Sequence, residues 1–412
     1  MKNQTYFYEL DFFKVFFSDS CVEKALKNLH NITQHELNEF HSNIVQNITS
    51  GMPQLLKSSP YYDSSRVQQI RDLAKTFASS FDTLVVVGIG GALLNSMCMN
   101  DFCGNKKILF VHQLCKNHLE NICSNVNLKS TGFVFISNSG DTVEVIELAN
   151  YFFESLRKNN IESLSSRMLF IYNSKRQSLL QNLHKKIGGE FLEYDADMGG
   201  RFSTFSTHNI FLASVSGIDV NDLFSGANKI LNSFIEKSQE FTKVLLSGTM
   251  MLASGLYHFQ SNIIASNFDS RLDNMMKWYC GVISETLGKT PRSLLPLQLT
   301  FPIDQHGMLE AILTNNNNQF LNLFSIQEDQ NNNISALVKV LENEICDQFE
   351  TQKIPVRKFI LNNTKASTLG AFMMYMILET IATAVILEIN PFNQPHVDNI
   401  KHHLAEKYKK GI

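Results

Sequence analysis

The chain reads as an α/β protein built on doubly wound parallel sheets with flanking helices, and three observations predict this. Short apolar runs at 84–87, 108–111, 132–136, 168–172 and 191–194 alternate with helix-length segments. Strands joined by crossover helices are buried on both faces, so they are apolar nearly throughout. After a helical stretch at 227–259 the alternation resumes at 262–265, 296–300, 320–325 and 355–361, which implies a second, smaller α/β unit. Two of the runs also pass directly into turns rich in glycine or hydroxyls, Gly88-Ile89-Gly90-Gly91 and Ser137-Asn138-Ser139-Gly140-Asp141-Thr142. Such strand-to-helix turns present backbone N–H groups at the positive end of a helix, where an anion is favoured.

A length of 412 residues points to more than one domain. Residues up to Phe81 show no strand pattern and carry helical spacing at Val67, Ile70, Leu73, Ala74 and Phe77, so they are read as helices outside the first α/β domain. The expected division is 1–225 for those helices plus the first α/β domain, 226–365 for the second, and 366–412 for C-terminal helices that complete the site. The apolar stretch 369–387 is interrupted by Glu379 and dotted with Thr and Gly, so it reads as a buried helix and not a membrane span. Asn and Gln crowd 314–319 and 329–333, marking exposed loops, and no internal repeat is visible.

A formal charge of -3 provides no broad basic field, which argues against nucleic acid as a partner; Lys407, Lys409 and Lys410 read as a solvated helix end. Seven cysteines without a C-x-x-C pair are expected to be reduced and mostly buried thiols. Together with an N-terminus lacking the pattern of a signal peptide, this leads to an expectation of a cytoplasmic protein.

The motifs point to a phosphorylated small molecule. Gly88-Ile89-Gly90-Gly91 lacks the spacing of a dinucleotide fingerprint, because Leu93 stands where the third glycine belongs. The Ser137 loop is consistent with a helix cap, with Ser139 or Asp141 starting the helix and Glu144 reaching back. A cap needs one hydroxyl and this loop offers three, so the surplus favours an anion. Gly199-Gly200-Arg201 is either a surface loop or a close backbone approach with a guanidinium to stabilise developing oxyanion charge. Gly288 and Lys289 suit a helix C-terminus, whereas Glu285 near that end is at the unfavourable pole and hints at another role. His306, in Asp304-Gln305-His306-Gly307, is one of twelve histidines. Asn390-Pro391-Phe392-Asn393-Gln394-Pro395 is a rigid turn into an amphipathic helix containing Lys401, with Pro at its first position.

Taken in order from about Leu84 to Lys401, these six motifs resemble the phosphoglucose isomerase family, whose members contain two sugar-isomerase domains. The resemblance implies that Gly90 and Gly91 lie against the sugar and that Ser137, Asn138, Ser139 and Thr142 form the loop around the 6-phosphate. Gly200 and Arg201 would face the C1 and C2 oxygens, and Gln394 would line the site. Glu285 would be the base. His306, supplied by the neighbouring subunit of a homodimer, would act with Lys401 in ring opening. Departures from the family's pattern are Ala92 for Ser, Asn138 for Lys, Asp141 for Thr, Thr286 for Ser, Asn393 for Asp and His396 for Gly. The two around the phosphate, Asn138 and Asp141, remove a cation and add an anion.

The implied activity is reversible aldose-ketose isomerisation of D-glucose 6-phosphate to D-fructose 6-phosphate through a cis-enediol, as used in glycolysis and gluconeogenesis. It requires no cofactor and no metal, and its partner is a small sugar phosphate, with no nucleic acid and no membrane. Mannose 6-phosphate is an additional substrate to test, since discrimination rests on C2 stereochemistry. The alternative is a non-catalytic sugar-phosphate sensor, a role in which isolated sugar-isomerase domains also occur.

Overall fold

The computed structural model describes residues 6–26, 32–56, 63–105, 108–195, 198–257, 262–291, 293–315, 319–327 and 332–409. Expectations for Met1 to Thr5, for Lys410 and for parts of the two Asn/Gln loops lie outside these residues. The strands are β1 (Tyr6–Glu9), β2 (Phe13–Phe17), β3 (Thr83–Val87), β4 (Ile108–Val111), β5 (Thr131–Ser137), β6 (Met168–Tyr172), β7 (Glu190–Glu193), β8 (Asn262–Asn267), β9 (Leu295–Thr300), β10 (Gln319–Ile326) and β11 (Val356–Leu361). They form two sheets in two compact units. One unit is Met1–Pro60, Asp101–Cys103 and Asn221–Asn393; the other is Tyr61–Asn100, Gly104–Val220 and Gln394–Ile412.

The five-stranded unit has the order β4-β3-β5-β6-β7, all parallel. Every residue of β5 is buried, as a central strand covered on both faces must be. The helix Val143–Lys158 packs Val145, Ile146, Leu148, Ala149, Phe152, Phe153 and Leu156 into a core that includes Phe133, Phe135 and Phe170. Because β3 and β5 are parallel neighbours, with Val85 beside Phe133, the turns that follow them open on the same edge of the sheet. This is the switch point at which open α/β sheets bind ligands.

The six-stranded unit has the order β1-β2-β11-β10-β8-β9. Its four parallel strands are β11, β10, β8 and β9, and the hairpin β1-β2 adds antiparallel to β11. This corrects the reading of the first 81 residues as helical only, and places 1–60 with the second sheet instead of the first. Phe13, Val15 and Phe17 are fully buried while Lys14 and Phe16 are not. An apolar Phe16 on the outward face hides that period-2 pattern, and only pairing with the distant β11 gives the strand its place. The expected helix does form at Ser64–Ser79, with Val67, Ile70, Ala74 and Phe77 buried.

The stretch read as helical at 227–259 forms two helices, Val220–Ile235 and Gln239–Tyr257, and one further expectation is revised. The C-terminal block divides between the units at Asn393/Gln394. The helix Ala366–Ile386 is apolar all round and buried from Ala366 to Ala384, so it belongs to the core of the six-stranded unit. Pro395–Lys409 instead packs on Val143–Lys158, with Tyr408 Oη donating to Glu147.

Glu379, the break in the apolar stretch, is fully buried against Arg357 of β11, with Arg357 Nη1 2.8 Å from Glu379 Oε1. Tyr375 Oη donates to the same oxygen at 2.7 Å, Arg357 Nε donates to Asn322 Oδ1 at 2.9 Å, and Asn322 Nδ2 donates to Tyr279 Oη at 2.7 Å. Gly248 is required beside them, because a Cβ there would lie 1.7 Å from Glu379 Oε1. Removing one partner of such a pair costs about 3–5 kcal/mol, since the other charge is left stranded out of water. Tyr279 is on Asp273–Leu287, the helix that carries Glu285.

The seven cysteines are free thiols. Only Cys21 and Cys98 are buried, Cys115 is exposed and the other four are half-buried, so the expectation of mostly buried thiols is too strong. Burial raises the Cys21 thiol to about 12.

Candidate active site

In the five-stranded unit the chain leaves β5 at Ser137 and turns through Gly140, whose φ of +68° suits glycine. A Cβ at Gly140 would also lie 2.2 Å from Ser178 Oγ. Ser137 Oγ accepts from Gly140 N at 2.9 Å and shares a hydrogen bond of 2.8 Å with Thr142 Oγ1. That pair holds two hydroxyl protons and uses one internally, so one O–H remains to donate outward. Ser139 Oγ accepts from Asp141 N at 3.1 Å and keeps its own proton for a ligand. Thr142 occupies the N-cap of Val143–Lys158 with no side-chain cap bond. The expected cap by Ser139 or Asp141 is therefore absent, and the leading N–H groups of that helix have no intrahelical acceptor.

The two residues that depart from the family's pattern have distinct surroundings. Asp141 Oδ1 accepts from Leu179 N at 3.0 Å, at the start of the helix Leu179–Ile187. Its charge is thereby held at the positive end of a second helix. Asn138 Nδ2 donates to Met198 O at 3.3 Å, while Asn138 Oδ1 is buried and meets no donor among the described residues.

The glycine turn after β3 caps the helix Gly91–Cys103. Gly90 has φ +61° with open space where a Cβ would be, so its backbone is accessible to a ligand. Gly91 instead touches another segment: a Cβ there would lie 2.4 Å from the carbonyl carbon of Gly200. The next residue after that glycine, Arg201, lies in the turn Gly200–Phe205 and is only 3% exposed. Its guanidinium lies 5.0 Å from the Phe202 ring centroid, and Nη1 donates to Gln394 Oε1 at 3.3 Å. Gln394 Nε2 in turn donates to Asp398 Oδ1 at 2.9 Å. Gln394 is thus held at the start of Pro395–Lys409, which begins with Pro as expected. Lys401 lies further along this helix and is exposed.

One side chain that sequence reasoning missed ties this region together. Asn95 is fully buried one turn into its helix, and its Nδ2 donates to Gly91 O at 2.8 Å and Gly200 O at 3.0 Å, with Ser203 Oγ at 3.2 Å. Thr204 Oγ1 donates to Asn95 Oδ1 at 2.7 Å. The sequence signal was weak, because Ser96, Asn100 and Asp101 lie on the same helix and Asn95 does not stand out among them. His208 was also missed. It is buried against Tyr194, with ring centroids 4.5 Å apart, and burial pushes its imidazole down to about 3.

In the six-stranded unit Glu285 is half-buried, two residues before the end of Asp273–Leu287. Gly288 closes that helix with its N–H on Ser284 O at 2.9 Å, and Lys289 Nζ donates to Asn390 O at 2.5 Å. The lysine expected to serve the helix end therefore anchors the turn containing Pro391, whose Phe392 ring lies where a Cβ on Gly51 would stand. His306 is exposed on the short helix Ile303–Gly307 after β9. Asp304 fixes that helix by accepting from Thr300 N at 2.7 Å. The structure therefore brings Gly90, Gly91, Gly200, Arg201 and Gln394 together beside the Ser137, Asn138, Ser139 and Thr142 loop on one sheet edge. Glu285 and His306 are carried by separate elements of the other unit.

Known proteins resemble this chain over most of its length. The family model described as "Phosphoglucose isomerase" matches residues 66–290. A glucose-6-phosphate isomerase of Mycoplasmoides gallisepticum is 24% identical over 354 residues, covering 78% of this chain and 82% of that one. Among solved structures, a glucose-6-phosphate isomerase of Chlamydia trachomatis superposes with a TM-score of 0.75 at 13% identity, covering 98% of this chain and 89% of the other. A hypothetical protein of Thermus thermophilus superposes with a TM-score of 0.79 at 16% identity, covering 96% and 99%. At these identities the structural likenesses establish the fold.

Proposed function

The chain belongs to the phosphoglucose isomerase family, and on that premise we propose that it interconverts D-glucose 6-phosphate and D-fructose 6-phosphate. The observation that carries the reading is the group on one sheet edge: a nearly buried Arg201 guanidinium, two glycine backbones in close approach, and a loop with spare hydroxyl and N–H donors. A guanidinium shielded from water binds oxyanions in a fixed fork, and the loop suits a phosphate.

In this reading the 6-phosphate binds to Ser137, Ser139, Thr142 and the helix start behind them. His306 and Lys401 open the pyranose by moving protons at the ring oxygen and the C1 hydroxyl. Glu285 then removes the proton from the carbon alpha to the carbonyl. The electron pair moves into a C1–C2 double bond as the carbonyl π pair moves onto oxygen, leaving a cis-enediolate whose charge Arg201 stabilises. A proton passes between the two oxygens, so that the carbonyl re-forms at the other carbon. Glu285 returns the proton to the adjacent carbon. Because both transfers occur on the same face, one carboxylate serves, and hydrogen moves within the substrate with no external oxidant or reductant. The reading includes a homodimer in which His306 serves the neighbouring copy, a role consistent with its exposure in a single chain.

The test is conversion of fructose 6-phosphate to glucose 6-phosphate by the purified protein in EDTA, beside Glu285→Gln. The variant should lose about 10²–10⁴-fold in kcat while still binding inorganic phosphate. No conversion by the unaltered protein, or an unchanged rate in the variant, would overturn the proposal.

A further inference from the structure

The glycine turn at Gly90 and Gly91 and the segment Gly200-Arg201 are far apart in sequence, and Asn95 joins them. Its orientation is set by chemistry: Gly91 O and Gly200 O only accept, so the amide nitrogen must face them, and Thr204 Oγ1 donates to the oxygen on the other side. Gly200 O receives a second donor, Ser203 Oγ, at 2.7 Å. The peptide plane between Gly200 and Arg201 is rigid, so gripping its carbonyl from two sides fixes the direction in which Arg201 leaves the chain. The side chains of Asn95, Ser203 and Thr204 are fully buried, where such bonds are strong and their loss is costly.

We propose that Asn95 is the positioning residue of Arg201. It sets where the guanidinium stands, and through it the recognition of the sugar's C1 and C2 oxygens, while contributing nothing to the phosphate loop. The inference rests on the sugar-phosphate reading of the site. Its consequence is a separation of the two ends of the ligand: the phosphate is held by the turn after β5, and the reacting oxygens are held by an arginine that depends on Asn95.

Two isosteric variants test this. Asn95→Asp removes both donors and sets a carboxylate against two carbonyl oxygens. Thr204→Val keeps the donors but leaves Asn95 Oδ1 without the hydroxyl that holds the amide from the other side. Calorimetric affinities for fructose 6-phosphate and for inorganic phosphate would be measured beside kcat and KM. Asn95→Asp should weaken fructose 6-phosphate and lower kcat by about tenfold or more each, with inorganic phosphate within about twofold. Thr204→Val should show the same split at smaller size, and it decides the matter if Asn95→Asp fails to fold by circular dichroism. In an Arg201→Lys background Asn95→Asp should add less than about twofold, since residues acting as one unit are not additive.

Equal weakening of both ligands, or multiplying effects of Asn95→Asp and Arg201→Lys, would overturn the proposal. A wild-type chain that binds fructose 6-phosphate without converting it would refute the isomerase reading and leave the binding comparison to judge Asn95. A chain that binds neither ligand would overturn both.

Discussion

Gly91→Ala places a methyl group against the backbone of Gly200. The new Cβ would lie 2.4 Å from Gly200 C, 2.7 Å from its O and 2.8 Å from its Cα, where ordinary van der Waals contact starts at 3.4 Å. All three atoms are backbone, so no rotamer change relieves the clash, and the two segments must part by about 1 Å. That movement stretches the hydrogen bond of 3.0 Å from Asn95 Nδ2 to Gly200 O, which joins the two segments, and carries Arg201 with it. Overpacking of this kind costs about 1–3 kcal/mol of stability. Misplacing a catalytic group by roughly 1 Å costs on the order of 10²-fold in rate. The expected result is a folded protein whose kcat for fructose 6-phosphate conversion falls about a hundredfold, with inorganic phosphate binding preserved because the Ser137 loop does not move. Steady-state kinetics and urea unfolding read the two effects separately. Wild-type kcat in the variant would refute the argument that contact between these glycines holds Arg201 in place.

Two other expectations concern charge. In His208, Asn209 Nδ2 lies 3.0 Å from Nε2 and donates to it, so Nδ1–H donates to Ser206 Oγ at 2.9 Å, whose own proton goes to Ser203 O at 2.6 Å. Burial lowers this imidazole from 6.5 to about 3, so in that window the unfolded chain binds a proton that the folded chain does not. Stability should be flat with respect to this group above about pH 6.5 and fall as pH drops toward about 3, by up to about 1.4 kcal/mol per pH unit. Urea unfolding of the wild type and His208→Gln at pH 7, 6 and 5 would show it, and an identical pH slope in both would rule out His208 as the source. Asp141→Asn keeps an oxygen to accept from Leu179 N while removing a negative charge beside the phosphate loop. Relief of about 1 kcal/mol of like-charge repulsion should tighten inorganic phosphate binding by about three- to fivefold, read by calorimetry; unchanged affinity would mean that the helix end at Leu179 already neutralises Asp141.

Much of the architecture was legible because strands covered on both faces are written as unbroken apolar runs. β3, β5 and β6 stand out in this way, β8 and β10 more weakly because Ser266 and Asn322 interrupt them, and the spacing at Val67, Ile70, Ala74 and Phe77 marks its helix. Glu379 was legible as a break in an apolar helix, but its partner Arg357 was not, since nothing local pairs a residue of β11 with one a helix away. β1 and β2 escaped notice for the same reason: Phe16 blurs the alternation of β2, which takes its place by pairing with β11 at the other end of the chain, and β1 joins the sheet only through β2. At the site, the types of residue needed for phosphate and oxyanion binding could be read in order. Asn95 looked like an ordinary helix residue, Asp141 like a repulsive charge, and Thr142 was overlooked as the cap.

Element identity and the chemistry available at each turn follow from periodicity, propensity and side-chain type, which act over a few residues and are therefore carried by the local sequence. Which turns meet was decided by sheet register and close packing. Only when β3 and β5 lie side by side do their two turns share an edge, and only when Gly91 touches Gly200 does Arg201 acquire a fixed place. These contacts arise between segments remote in sequence, with energies that depend on distances of a few tenths of an ångström, and no local pattern encodes such distances.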